Sequence, residues 1–131
     1  MSGEHNLDHI LRNLRPELHE EKYVFAVLKT SEIPSGISPI GIFKEAEGIT
    51  IIVEQEEADE AGIEYEFVAS WITLRVHSAL TSVGLTAAFS TKLADAGISC
   101  NVIAGYYHDH LFVPAEKAQD ALRVLVGSTG P

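Results

Sequence analysis

An α+β fold made of two ferredoxin-like βαββα units is predicted by three observations in this 131-residue sequence. Short stretches rich in β-branched and aromatic residues alternate apolar with polar positions, as strands with one buried face do. Other stretches carry apolar residues three or four positions apart, the spacing of one helix face. The order of these elements in the first half then returns in the second, so two degenerate copies of one unit are expected, each an antiparallel sheet covered by helices.

Taken in order, Leu7, Ile10, Leu11 and Leu14 recur at helical spacing, with Asn6 as N-cap and Pro16 beyond the end. A short amphipathic helix is predicted there. YVFAVLKT, residues 23–30, reads as a strand, and SEIPSGISP breaks regular structure with its glycine and prolines. GIFKEAEGITIIVEQ sets two apolar arms around Ala46, Glu47 and Gly48, a hairpin with glycine at the turn. EEADEAG closes as an acidic helix ending at Gly62.

The second half is cleaner. In WITLRVHS, Ile72, Leu74 and Val76 alternate with Thr73, Arg75 and His77. Thr81 or Ser82 caps a helix whose stripe is Leu85, Ala88, Phe89, Leu93 and Ala96, and Gly97 stops it. SCNVIAGYY and HLFVP are two strands turning at His108 and Asp109. Ala118, Ala121, Leu122 and Leu125 mark a last helix ending at Gly127. No flexible linker separates the copies, so two interlocked subdomains are expected, residues 1–69 and 70–131, with the boundary near Ala69.

Composition narrows the classes of function. Nineteen acidic residues against nine basic ones give a net charge of -10, which disfavours a phosphate backbone as partner, and nucleic acid is not expected. Through Glu66 there are 15 acids and 5 bases; from Phe67 onward there are 4 of each. The excess therefore sits in the first half, as a solubilising face or an attraction for cationic ligands. Cys100 is the sole cysteine, so neither an internal disulfide nor a paired-cysteine zinc site can form. MSGEHNLDHI lacks a secretory pattern, and no apolar run reaches the roughly 20 residues that span a bilayer. A cytoplasmic protein without a membrane partner is expected.

The segment from WITLRVHS through LTSVGLTAAFSTKLADAGISCNVIAGYYHDHLFVP to AEKAQDAL resembles the core of short, standalone bacterial ACT-domain proteins. YVFAVLKT and IFKEAEGITIIVEQ are similar to the amino-terminal part of the same proteins, so the likeness covers nearly the whole chain. It implies a tandem ACT-like fold in a regulatory protein that binds a small molecule, an amino acid above all, without catalysing a reaction. It also implies a ligand beside the loop between the first strand and first helix of the second unit. The residues at that place are His77, Ser78, Ser82, Val83, Gly84, Leu85 and Thr86, joined by Asn101 at the start of the next strand.

The physics of that placement is sound. A helix N-terminus offers unpaired N–H groups and partial positive charge to a carboxylate, Gly84 lets a ligand approach the backbone, and Ser82 and Thr86 bring hydroxyls. The plainer account makes Ser82 a cap and Gly84 a packing concession. Cys100 and Asn101 point to opposite faces of a strand, so one of them at most reaches a ligand. Cys100 is expected to be inert, and Asn101 is the better candidate. Glu45 and Glu47 can meet a ligand amine if the first hairpin faces the site.

His108, Asp109 and His110, with His77, are the residues from which a metal site could be written. Asp109 at a turn would splay the two rings, and no recognised metal spacing supports the site, so no metal and no cofactor are expected. A structural role beside Tyr106 and Tyr107 is preferred. Neither a nucleophile elbow nor a phosphate loop is present, and His77 and Ser78 face opposite ways, so an enzyme would have to rest on His108 and His110. A ligand-free oligomeric scaffold is the other alternative. Sheet edges in this architecture are commonly paired with a second subunit, so a homodimer is expected.

Overall fold

The computed structural model describes residues 15–75 and 83–127. Six strands join in the order β2-β3-β1-β4-β6-β5, namely β1 (Pro16–Leu28), β2 (Gly41–Glu45), β3 (Gly48–Glu54), β4 (Phe67–Leu74), β5 (Asn101–Ala104) and β6 (Asp109–Pro114). The described helices are α1 (Gln55–Ala61), α2 (Val83–Asp95) and α3 (Ala118–Gly127), the last entered through a 3-10 turn at Ala115–Lys117. The molecule is mixed α+β, and its second half runs strand, helix, hairpin, helix as its periodicities predict. In the first half the crossover from β1 to β2 contains no helix.

The chain divides into two compact units. One is Glu20–Ser70; the other holds the described residues 15–19, 71–75 and 83–127. Strands β1 and β4 each contribute to both.

In the Glu20–Ser70 unit, β3 is flanked by β1 and β2 in antiparallel ladders that pair Phe25 with Ile52 and Phe43 with Thr50. Period-two geometry sends Val24, Ala26 and Leu28 to one face, where they meet Ile49, Ile51, Val53 and Ala58 of α1. Ile33, Ile37, Ile63, Tyr65 and Val68 close that core. Helix α1 ends at Gly62, where the sequence places its stop. Tyr65 fixes the segment beyond it, donating its hydroxyl to Asp59 at 2.7 Å and accepting from Gln55 at 3.0 Å.

In the other unit the core joins Ile72 and Leu74 of β4, Phe89 and Leu93 of α2, Ile98, Leu111 and Val113 of β6, and Ala121 and Leu125 of α3. Phe89 and Leu93 lie one turn apart, which presents one apolar edge to the sheet. Ile98 N–H then donates to Leu93 O at 2.9 Å across Gly97, whose φ of 76° supplies the left-handed stop. Ala96 is exposed, because the helix has ended at Asp95.

Several expected boundaries move. Strand β1 begins at Pro16, seven residues before the expected start. A proline can open a strand because the first residue need not donate to the ladder. Strand β4 begins at Phe67 instead of Trp71 and runs through Ala69 to Leu74. The second hairpin turns over Gly105 to His108, with Gly105 N–H donating to His108 O at 2.9 Å, so Asp109 opens β6 and does not occupy the turn. A Cβ at Gly105 would stand 3.0 Å from that oxygen, which is why glycine suits the position. The expected helix over residues 7–14, the caps Thr81 and Ser82, and the strand end at 76–78 lie outside the described residues.

Candidate functional site

Of the expected ligand residues, His77, Ser78 and Ser82 lie outside the described residues. Val83, Gly84 and Leu85 are the first three residues of α2, and Thr86 follows them with an exposed side chain. Asn101 opens β5, exposed, opposite Phe112 of β6. Strand parity puts Asn101 on the face opposite the one where Cys100 and Val102 pack against the apolar core.

That outer face carries a cluster absent from the expected site. On β4, Trp71 and Thr73 take the parity opposite to Ile72 and Leu74, and Arg75 follows just beyond the strand. Thr73 is buried although polar, at 3% exposure, against the expectation that it faces solvent. Its hydroxyl is 2.8 Å from His19 Nε2 of β1 and 3.2 Å from His110 Nδ1 of β6. Trp71 Nε1–H donates to the same His110 nitrogen at 3.1 Å. The indole stacks on His19, with centroids 3.7 Å apart and planes at 12°, and lies 6.1 Å from the Phe112 ring at 17°.

At the rim, Arg75 Nε donates to Glu17 Oε1 at 3.0 Å, and a second guanidinium nitrogen bonds the same oxygen. That contact holds the Glu17 carboxyl below the usual carboxylate range. Arg75 Nη1 lies 3.3 Å from His108 Nε2, whose other nitrogen, Nδ1, is buried without a hydrogen-bond partner among the described residues. Burial pushes the Asp109 carboxyl up and His110 down from their ordinary values.

These contacts correct the expected surroundings of the two histidines. His110 engages Trp71 and Thr73, and His108 engages Arg75, whereas Tyr106 and Tyr107 are exposed and pack edge to face on each other at 5.0 Å. Among the described residues, no group of three or more His, Cys, Asp or Glu side chains is placed to hold a metal ion. Glu45 accepts from the Thr50 hydroxyl, and Glu47 offers only its backbone oxygen to Lys29, at 3.5 Å. The Glu20–Ser70 unit also has an open groove of about 970 Å³, with Phe25, Val27 and Phe67 on its walls and Glu64 and Glu66 beside them.

Cys100 is half-buried against the apolar core, and burial pushes its thiol up to about 11. At about pH 8 an ordinary cysteine is partly thiolate, while a thiol of this kind is almost wholly protonated. Iodoacetamide should therefore alkylate Cys100 on the order of a hundredfold more slowly in the native protein than in urea. Equal rates in the two states would contradict the burial.

Family comparison gives two ACT domain matches, one over residues 2–70 and one over residues 66–126. Among solved structures, a Vibrio cholerae protein of unknown function, described as a possible transport protein, is 49% identical with a TM-score of 0.87, over 98% of this chain and 99% of that one. The ligand-free regulatory subunit of aspartate kinase from Thermus thermophilus is 15% identical with a TM-score of 0.65, over 86% of this chain and 95% of that one. Escherichia coli aspartokinase III in complex with aspartate and ADP is 13% identical with a TM-score of 0.60, over 92% of this chain and 34% of that one. The last two likenesses concern fold alone. Among curated proteins no match is found.

Proposed function

We propose that this chain, which belongs to the ACT domain family, is a regulatory protein that binds an amino acid at the start of α2 and catalyses no reaction. The observation that carries the reading is the pair of ACT domain matches, one on each half of a chain whose second half folds as strand, helix, hairpin, helix. ACT modules convert occupancy by a small molecule into a change in an enzyme, a transcription factor or another subunit. Regulatory domains of aspartate kinase have the same fold, which is consistent with an amino acid as ligand.

In this reading the two ACT-like subdomains are residues 1–69 and 70–131, and the ligand carboxylate meets the N–H groups that open α2. Asn101 is the polar side chain offered by the neighbouring strand. A homodimer in the cytoplasm completes the proposal. No described helix is long and apolar enough to cross a membrane.

The test is a substitution at Gly84. Calorimetric titration with the amino acid that binds the native protein should show binding lost in Gly84→Val, while circular dichroism and the unfolding midpoint stay close to native. A Gly84→Val protein that binds with unchanged affinity would refute the site. The alternative, an oligomeric scaffold without a ligand, predicts a stable oligomer indifferent to every amino acid.

A further inference from the structure

The outer cluster has a chemistry of its own, independent of any ligand at α2. An indole nitrogen can only donate, so His110 Nδ1 must present a lone pair to Trp71. With the single Nδ1 lone pair shared between two donors, the Trp71 N–H and the Thr73 hydroxyl both turn toward it, His19 Nε2–H donates to the Thr73 oxygen, and His110 keeps its one proton on Nε2. The neutral imidazole is thus written into the hydrogen bonds. A second proton, on Nδ1, would set N–H against the indole N–H at 3.1 Å and reverse the Thr73 hydroxyl.

We propose that His19, Trp71, Thr73 and His110 form a proton-operated latch, in which protonation of His110 Nδ1 removes the acceptor of the Trp71 N–H and loosens the indole from the β4–β6 face. The charged groups that face His110 are His19 from β1, Arg75 just after β4, His108 from the β5–β6 turn and Asp109 beside it in β6. Strand β5 places the uncharged Ile103 opposite, and Glu17 of β1 answers Arg75. His108, His19 and Arg75 oppose a new positive charge, and Asp109 favours it.

Burial first, and those charges next, hold His110 below its ordinary value of 6.5. The native state then binds fewer protons than the unfolded chain just below pH 6.5. The contribution to stability is complete above that pH and is lost as pH falls through the window beneath it. Asp109, raised from 3.8, has the opposite sign: its contribution is lost as pH rises from 3.8 through its raised value.

Trp71 is the only tryptophan, so selectively excited fluorescence of the full chain reads the latch directly. Titrated from about pH 8 to about pH 5, the native protein should show a single fluorescence transition with its midpoint below 6.5, while far-ultraviolet circular dichroism stays constant. His110→Asn puts an amide oxygen where Nδ1 stood, which keeps an acceptor for Trp71 but cannot titrate, so the transition should vanish. His19→Gln keeps an amide N–H to donate to Thr73 and leaves the titrating nitrogen on His110, so the transition should remain.

A flat native curve, a transition that survives His110→Asn, or one abolished by His19→Gln would each overturn the proposal. Nitrogen-15 spectra of the native protein need no variant. They should show His110 Nδ1 unprotonated at about pH 8 and titrating together with the Trp71 indole N–H; a protonated Nδ1 there, or an indole signal indifferent to the His110 titration, would equally overturn it.

Discussion

Phe89→Ala should lower the stability of the protein by about 3 to 5 kcal/mol, the cost of emptying a large site that cannot fully collapse. Phe89 is 0% exposed on α2 and belongs to one buried cluster with Ile72 and Leu74 of β4 and Ala121 and Leu125 of α3. Truncation removes the ring that joins helix to sheet and leaves a void in a core of ordinary density. Domains of this size hold only about 5 to 15 kcal/mol in total, so the loss is a large share of it. Urea unfolding should show the midpoint fall by about 2 M with little change in slope. A midpoint within about 0.3 M of native would mean that α2 does not pack as described.

Gly48→Val should cost about 3 kcal/mol, at the upper end for overpacking, because the obstacle is backbone. A Cβ at Gly48 would stand 2.8 Å from Leu28 O and 2.9 Å from Val27 Cγ2. Gly48 pairs with Glu45 in one ladder, and its neighbour Ile49 pairs with Leu28 in the other. The collision therefore falls where β2, β3 and β1 meet, and relief requires β1 to move. Hydrogen exchange at the Ile49 and Leu28 amides should accelerate together with the drop in urea midpoint. Gly48→Val with native exchange at both amides would contradict the register.

The contrast between these two positions shows what could be read in advance. Phe89 declares itself through its spacing from Leu93 and the Gly97 stop, a local pattern that survives without tertiary context. The acidic helix ending at Gly62 and the final helix on Ala118, Ala121 and Leu125 are legible for the same reason. The close approach at Gly48 is set by a strand twenty residues earlier in the chain, and only the turn role of its segment is visible in sequence. The stretch Glu17 to Lys22 has one apolar residue, Leu18, and no periodicity to follow, so the early start of β1 is invisible.

The outer cluster was half legible. Alternation along β4 separates Trp71 and Thr73 from Ile72 and Leu74, but it cannot say that the second face is covered. The partners that bury Thr73 come from His19, 54 residues away, and His110, 37 residues away. Their convergence depends on the strand order that sets β1 and β6 on either side of β4, which no local pattern encodes. His110 stood out as a chemical residue, yet its role follows from the indole donor beside it and not from the adjacent His108.

The central claim, an ACT-family protein that answers an amino acid, is tested most directly by thermal unfolding of the full chain in the presence of each proteinogenic amino acid in turn. A ligand at about 100 times its dissociation constant adds roughly 2.7 kcal/mol to the native state, a rise of several degrees. We expect one amino acid, or a small group of chemical relatives, to produce that rise while the rest leave the midpoint unchanged. A panel flat across every amino acid at millimolar concentration would contradict the claim and leave the scaffold account in its place.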